Sequence, residues 1–163
     1  MFTDKDEDFG KLLNYAYFFL KFRPRSKKEI ENYLYKKIQK RHWSRDDVKK
    51  VIKHLESLDL INDKKFVKWF VGERILLKPK STFALKQELL KHGVEKELID
   101  EYFFSNSVNE EELAEKILRN RWNRYKNLNR QKRFEKTASF LMRRGFNFDI
   151  VRKTINKLLD EER

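Results

Sequence analysis

Two short stretches of this chain are written twice. Leu89-Leu-Lys-His-Gly-Val94 returns as Leu141-Met-Arg-Arg-Gly-Phe146, and Arg23-Pro-Arg-Ser26 returns as Lys78-Pro-Lys-Ser81. The offsets are about 50 residues, a spacing at which self-similarity means small units stacked around a shared core. A chain of 163 residues has room for three such units. Only four Gly and two Pro interrupt it, while Lys, Glu, Leu and Phe are abundant. Few breakers and many helix formers make each unit helical rather than sheet-rich.

Apolar residues recur at three- and four-residue spacing almost throughout. Leu12, Leu13, Ala16, Phe19 and Leu20 form the first stripe, and Pro24 ends its helix because it lacks an N–H and restricts the residue before it. Ser26 and Glu29 form a capping box for a second helix carrying Ile30, Tyr33, Leu34 and Ile38. A third starts at Ser44, with Asp46 and Asp47 favoured by the helix dipole, and buries Val48, Val51, Ile52, Leu55 and Leu58. The next triplet has Asp63 as N-cap, Phe66, Val67, Phe70, Val71 and Ile75 as a stripe, and Pro79 as its stop. Ser81 opens a helix with Leu85, Leu89 and Leu90, closed by Gly93 in a left-handed C-cap. Leu98, Ile99, Tyr102 and Phe103 complete this unit. Asn109 with Glu112 is a further capping box, followed by Leu113, Ala114, Ile117, Leu118, Trp122 and Tyr125. Phe134, Ala138, Leu141 and Met142 turn inward before Gly145, and Ile150, Val151, Ile155, Leu158 and Leu159 end the pattern. The expected fold is all-α: a tandem array of three three-helix repeats, elongated and curved. Its boundaries fall at an acidic tail 1–7 and repeats 8–61, 62–107 and 108–163.

The formal net charge is +13. Such a balance attracts polyanions, whether nucleic acid, an acidic protein or a membrane face; a solvated lysine-rich surface is the plain alternative. Clustering favours a partner. Between residues 119 and 144, Arg119, Arg121, Arg124, Lys126, Arg130, Lys132, Arg133, Lys136, Arg143 and Arg144 face a single acid, Glu135. No cysteine is present, which fits a reducing cytoplasm. No run approaches the ~18 apolar residues of a membrane span, and the acidic start is no signal peptide.

Catalytic patterns are missing. His42, His54 and His92 lack the spacing of a zinc helix, and four scattered glycines build no phosphate loop. Adjacent Asp46 and Asp47 point to different sides of their helix. The sequence therefore predicts no enzyme and no cofactor or metal. Trp122 among arginines, and Trp43 after Lys40-Arg41-His42, have the composition of a base-stacking site, but at helical spacing packing is the stronger reading. Trp69 is expected to wedge between modules.

Arg23-Pro-Arg-Ser26 with Glu29-Ile30, Leu60-Ile-Asn-Asp-Lys-Lys-Phe-Val-Lys-Trp-Phe-Val-Gly-Glu-Arg74, Leu85-Lys-Gln-Glu-Leu-Leu-Lys-His-Gly-Val94 and Phe140-Leu-Met-Arg-Arg-Gly-Phe146 together resemble the signatures of the RecX family, in order, over about residues 9–160. Two departures stand out: no glycine follows Lys36-Lys37-Ile38, and Lys78-Pro79 replaces a usual glycine. The resemblance implies a cytoplasmic bacterial regulator of the RecA recombinase. Such proteins are built of three-helix repeats, bind the groove of the RecA–DNA filament and suppress its ATPase, strand exchange and coprotease activities.

On this reading a basic face contacts the filament. Its candidates are Arg23, Arg25, Lys27 and Lys28; Arg74, Lys78 and Lys80; and Arg124, Arg130, Lys132, Arg133, Arg143 and Arg144. A direct binder of single- or double-stranded DNA and a scaffold for another acidic protein remain as alternatives. No oligomer seam is evident, so a monomer is expected.

Overall fold

A computed structural model of the chain describes residues 4–39 and 42–162. Within them the chain is helical and carries no strand. The helices are α1 Asp4–Leu20, α2 Lys27–Ile38, α3 Arg45–Ser57, α4 Asp63–Leu77, α5 Thr82–Lys91, α6 Lys96–Ser105, α7 Glu110–Trp122, α8 Arg130–Met142 and α9 Phe148–Asp160, with a 3-10 turn at Asn123–Tyr125. This is the all-α series of three-helix repeats that the periodicity predicts. Of the acidic tail, residues 1–3 lie outside the described residues, while residues 4–7 are already part of α1.

Most helix starts are fixed locally. Ser26 accepts the Glu29 N–H and Glu29 reaches back to the Ser26 N–H; Ser44 and Asp47 do the same for α3. Asn129 and Asn147 cap α8 and α9 through their side-chain oxygens. Asn109 accepts the Glu112 N–H at 3.2 Å, but the return bond expected of a full box is not made among the described residues. The cap of α4 is a correction. Asn62 accepts the Lys65 N–H at 3.1 Å, and Asp63 is the first helical residue, its carboxylate turned to another helix.

The chain forms two compact units, residues 1–70 with 89–99 and residues 71–88 with 100–163. The first is centred on α1–α3, where Leu12, Ala16, Ile30, Leu34, Trp43, Val48, Val51, Ile52, Leu55 and Ile61 make one core. The second is centred on α7–α9, with Ala114, Ile117, Leu118, Trp122, Ala138, Phe140, Leu141, Val151, Ile155 and Leu158 inside. Each fully buried Leu, Ile or Phe contributes about 1.5–3 kcal/mol, so these stripes carry most of the stability. Leu58 and Met142 are corrections: both are about half exposed, at 50% and 52%. Leu58 is the cap residue beyond α3. Met142 is the last residue of α8, and Phe140, 7% exposed, takes the inward place instead.

The repeated sequences meet at one kind of junction, seen once in each unit. In the first unit, the Ser26 hydroxyl donates to the His92 carbonyl at 2.5 Å, and the Lys27 N–H donates to Asp63 Oδ1 at 2.8 Å. Gly93, at φ +75, lies against the Lys28 side chain. In the second unit, the Ser81 N–H donates to the Arg144 carbonyl at 3.0 Å, and the Thr82 N–H to Glu110 Oε1 at 2.6 Å. Gly145, at φ +87, lies against Ser81 and Ala84. The start of a capped helix thus receives both a glycine turn and an acid from the helices that follow. Ser26 and Ser81 are fully buried for this reason.

Candidate partner-binding surface

The junctions consume much of the expected basic face. In the first unit, Arg23 holds Glu29 through two nitrogens at 3.2 and 2.5 Å, donates to the Pro24 carbonyl at 2.8 Å, and stands 5.8 Å from the Trp69 ring. Arg25 lies over Phe19 at 3.9 Å, donates from Nε to the Phe19 carbonyl at 3.3 Å, and is 3.6 Å from Glu29. Burial, and then the charge of Arg23, lower its pKa. Lys27 pairs with Glu56 at 2.7 Å and Lys28 with Glu31 at 3.3 Å.

Glu29 is the hub of this junction. Burial pushes its pKa up, but the Arg23 hydrogen bond, the Ser26 amide and nearby charges outweigh it and hold the carboxyl below its ordinary range. A lowered folded pKa gives stability that is present above the ordinary value of about 4.5 and is lost as pH falls through the folded value. Thermal melts from pH 6 downward should therefore show a smaller acid-induced loss in Glu29→Gln than in the parent; identical pH profiles would remove Glu29 from this role. Asp63 goes the other way: burial raises its pKa against the lowering effect of the Lys27 amide.

In the second unit, Arg74 Nε pairs with Glu88 at 2.9 Å, and Lys80 contacts the same carboxylate. Burial works against Glu88, yet these two cations keep its pKa lowered. Arg144 donates to the Pro79 carbonyl at 2.6 Å, and Arg143 donates to the Ser139 hydroxyl at 2.5 Å. Arg133 is the one candidate that the fold buries. It is 6% exposed, lies over the Trp122 ring at 3.9 Å, and clamps Glu162 through both terminal nitrogens at 2.5 and 2.8 Å. Trp122 Nε1 donates to the same carboxylate at 2.8 Å. Arg133 and Trp122 tie the segment after α9 to α7 and α8.

Lys78, Arg124, Arg130 and Lys132 remain exposed, and none of them pairs with an acid among the described residues. Arg124 is in the 3-10 turn after α7, and Arg130 and Lys132 are in the first turn of α8, which contains no acid. Trp43 is buried with its ring edge-on to Tyr15 at 6.0 Å, and Trp69 is half-buried. The basic residues 40 and 41 before Trp43 lie outside the described residues. Sequence reasoning missed the acids that take up the cations, Glu29, Glu88 and Glu162. Only the Glu29 pairing had a local signal, the capping box three residues after Ser26.

The family models for the second and third RecX three-helix domains match residues 62–102 and 109–155. A regulatory protein RecX from Chlorobium phaeobacteroides is 30% identical over 155 residues, covering 94% of this chain and 97% of that protein. The chain belongs to the RecX family. A second RecX, from Prosthecochloris aestuarii, is 28% identical over 156 residues with the same coverage of both chains. Other relatives are longer, and the chain spans 55% of a RecX from Streptococcus agalactiae. The crystal structure of RecX from Lactobacillus salivarius superposes with a TM-score of 0.75 at 25% identity, covering 93% of this chain and 97% of that one. These relatives are named as regulatory proteins. Within this RecX-family chain, the exposed cations Arg124, Arg130 and Lys132 fall in the part matched by the third domain. No described helix is long and apolar enough to cross a membrane.

Proposed function

We propose that the protein is a non-enzymatic, cytoplasmic regulator that binds the groove of the RecA–DNA filament and inhibits the ATPase, strand exchange and coprotease activities of RecA. Its three repeats, residues 8–61, 62–107 and 108–163, act as successive contact modules, so that weak contacts add through effective concentration. One observation supports this best. Arg130 and Lys132 stand exposed in the first turn of α8 without an acid in that turn, where the helix dipole disfavours cations by about 0.3–1 kcal/mol each. A cost of that kind is offset when an anionic partner is bound. The decisive assay is RecA ATPase on single-stranded DNA with the protein added below RecA stoichiometry. The expected result is a fall in ATP hydrolysis, and unchanged hydrolysis under conditions where the protein binds the filament would overturn the reading.

A second reading, direct nucleic-acid binding independent of RecA, is favoured by the net charge of +13. It predicts equal DNA affinity with and without RecA and a steep loss of affinity with salt.

A further inference from the structure

We propose that Arg121 and Arg144, both held at the Phe140 ring, form an oxyanion clamp that takes phosphodiester groups of a nucleic-acid strand. The two guanidinium carbons lie 4.7 and 4.8 Å from the centre of the same ring. Arg121 is in the last turn of α7, and Arg144 follows the end of α8. Both are half-buried. Neither forms an ion pair among the described residues, in a chain where Arg23, Arg74, Arg119 and Arg133 each hold a carboxylate. The Arg144 guanidinium makes one hydrogen bond, to the Pro79 carbonyl; that of Arg121 makes none to the described protein.

Two like charges sharing one ring repel each other. Burial and the charge of Arg121 both lower the Arg144 pKa. Two features hold the pair in place without an acid: the negative face of the aromatic ring and the carboxyl ends of two helices, where the dipole favours cations. What remains is a pair of planar forks with most of their N–H donors unused. Planar, bidentate donors of this kind match phosphate better than a lysine does.

The inference deepens the filament reading, resting on it for the presence of DNA at this surface, and commits to DNA phosphate as the anion, a RecA carboxylate being the other outcome of the test. Its main arm omits RecA, so the two fail separately. Binding of a fluorescent oligo(dT) to the full chain is followed by anisotropy at several salt concentrations. Arg121→Gln should weaken binding about 5- to 10-fold and lower the salt slope by about 1. Arg121→Lys, which keeps the charge but loses the fork, should weaken it about threefold. Lys116→Gln, an exposed residue of α7 outside the clamp, makes the same charge change as Arg121→Gln and should alter affinity less than twofold. Equal effects of Arg121→Gln and Lys116→Gln, or no oligonucleotide binding by the parent chain, would overturn the clamp. So would an Arg121→Gln variant that binds DNA normally but is no longer captured by RecA, because the anion would then be a protein carboxylate.

Discussion

Gly93→Ala and Gly145→Ala should each lower the melting temperature, whereas Gly10→Ala and Gly72→Ala should raise it. All four glycines of the chain thus enter one experiment, and the sign of each result follows from its surroundings. Gly93 and Gly145 have φ of +75 and +87, which costs a residue with a Cβ about 1–2 kcal/mol. A Cβ on Gly93 would come within 2.4 Å of Lys28 Cβ. A Cβ on Gly145 would meet Ser81 Oγ at 2.6 Å and Ala84 Cβ at 2.7 Å. The obstructing Cβ atoms belong to helix starts and cannot swing away, so overpacking adds about 1–3 kcal/mol. The combined loss of about 2–5 kcal/mol corresponds to a fall of roughly 4–20 °C for a chain of this size. Gly10 and Gly72 sit inside α1 and α4 with nothing within 4 Å of an added Cβ. There alanine gains about 0.5–1 kcal/mol in helix propensity. Parental melting of the Gly93 and Gly145 variants would mean that the serine–glycine junctions do not bear on stability.

The same junctions mark how far the sequence could be read. Ser26, Ser81, Gly93 and Gly145 were visible as repeat markers, and their local duties as caps follow from residue type alone. Their pairing across helices was not visible, because nothing in a self-alignment says that the serine of one repeat meets the glycine turn of the next. Asp63 shows the same limit: an acid at a helix start reads as a cap, but the neighbouring Asn62 serves that purpose and leaves Asp63 to the Lys27 amide. For the basic face, residue type identified the cations and missed their partners. Glu162 lies 29 residues from Arg133, so the pairing depends on how α8 and α9 fold together. Charge density along the chain finds Arg124, Arg130 and Arg133 alike; only burial separates the two that face solvent from the one that is locked.

That separation yields a sharp functional result. If the protein acts on the RecA filament as proposed, the triple variant Arg124→Glu, Arg130→Glu, Lys132→Glu should keep its fold and lose its hold on the filament, whereas Arg133→Glu should lose stability. The three exposed side chains pair with no acid among the described residues, so exposed substitutions there cost within about 0.5 kcal/mol each. Glutamate in the first turn of α8 is even favoured by the helix dipole. The triple change should therefore leave the melting temperature near the parental value. In the RecA ATPase assay it should require at least about tenfold more protein for equal inhibition, since reversed charges repel an anionic partner as well as losing its attraction. Arg133→Glu removes the cation over Trp122 and sets a second carboxylate against Glu162, in a site only 6% exposed for this residue. Two carboxylates then face each other beside Trp122 with no cation between them, read as a lower melting temperature and release of the segment after α9 from α7 and α8. Arg133→Met, which keeps bulk over the ring without a charge, should recover part of that loss. If the triple variant inhibits RecA as well as the parent, the α7–α8 connection is not the contact. If Arg133→Glu melts normally yet fails to inhibit, Arg133 belongs to the partner surface after all and its contact with Glu162 is dispensable.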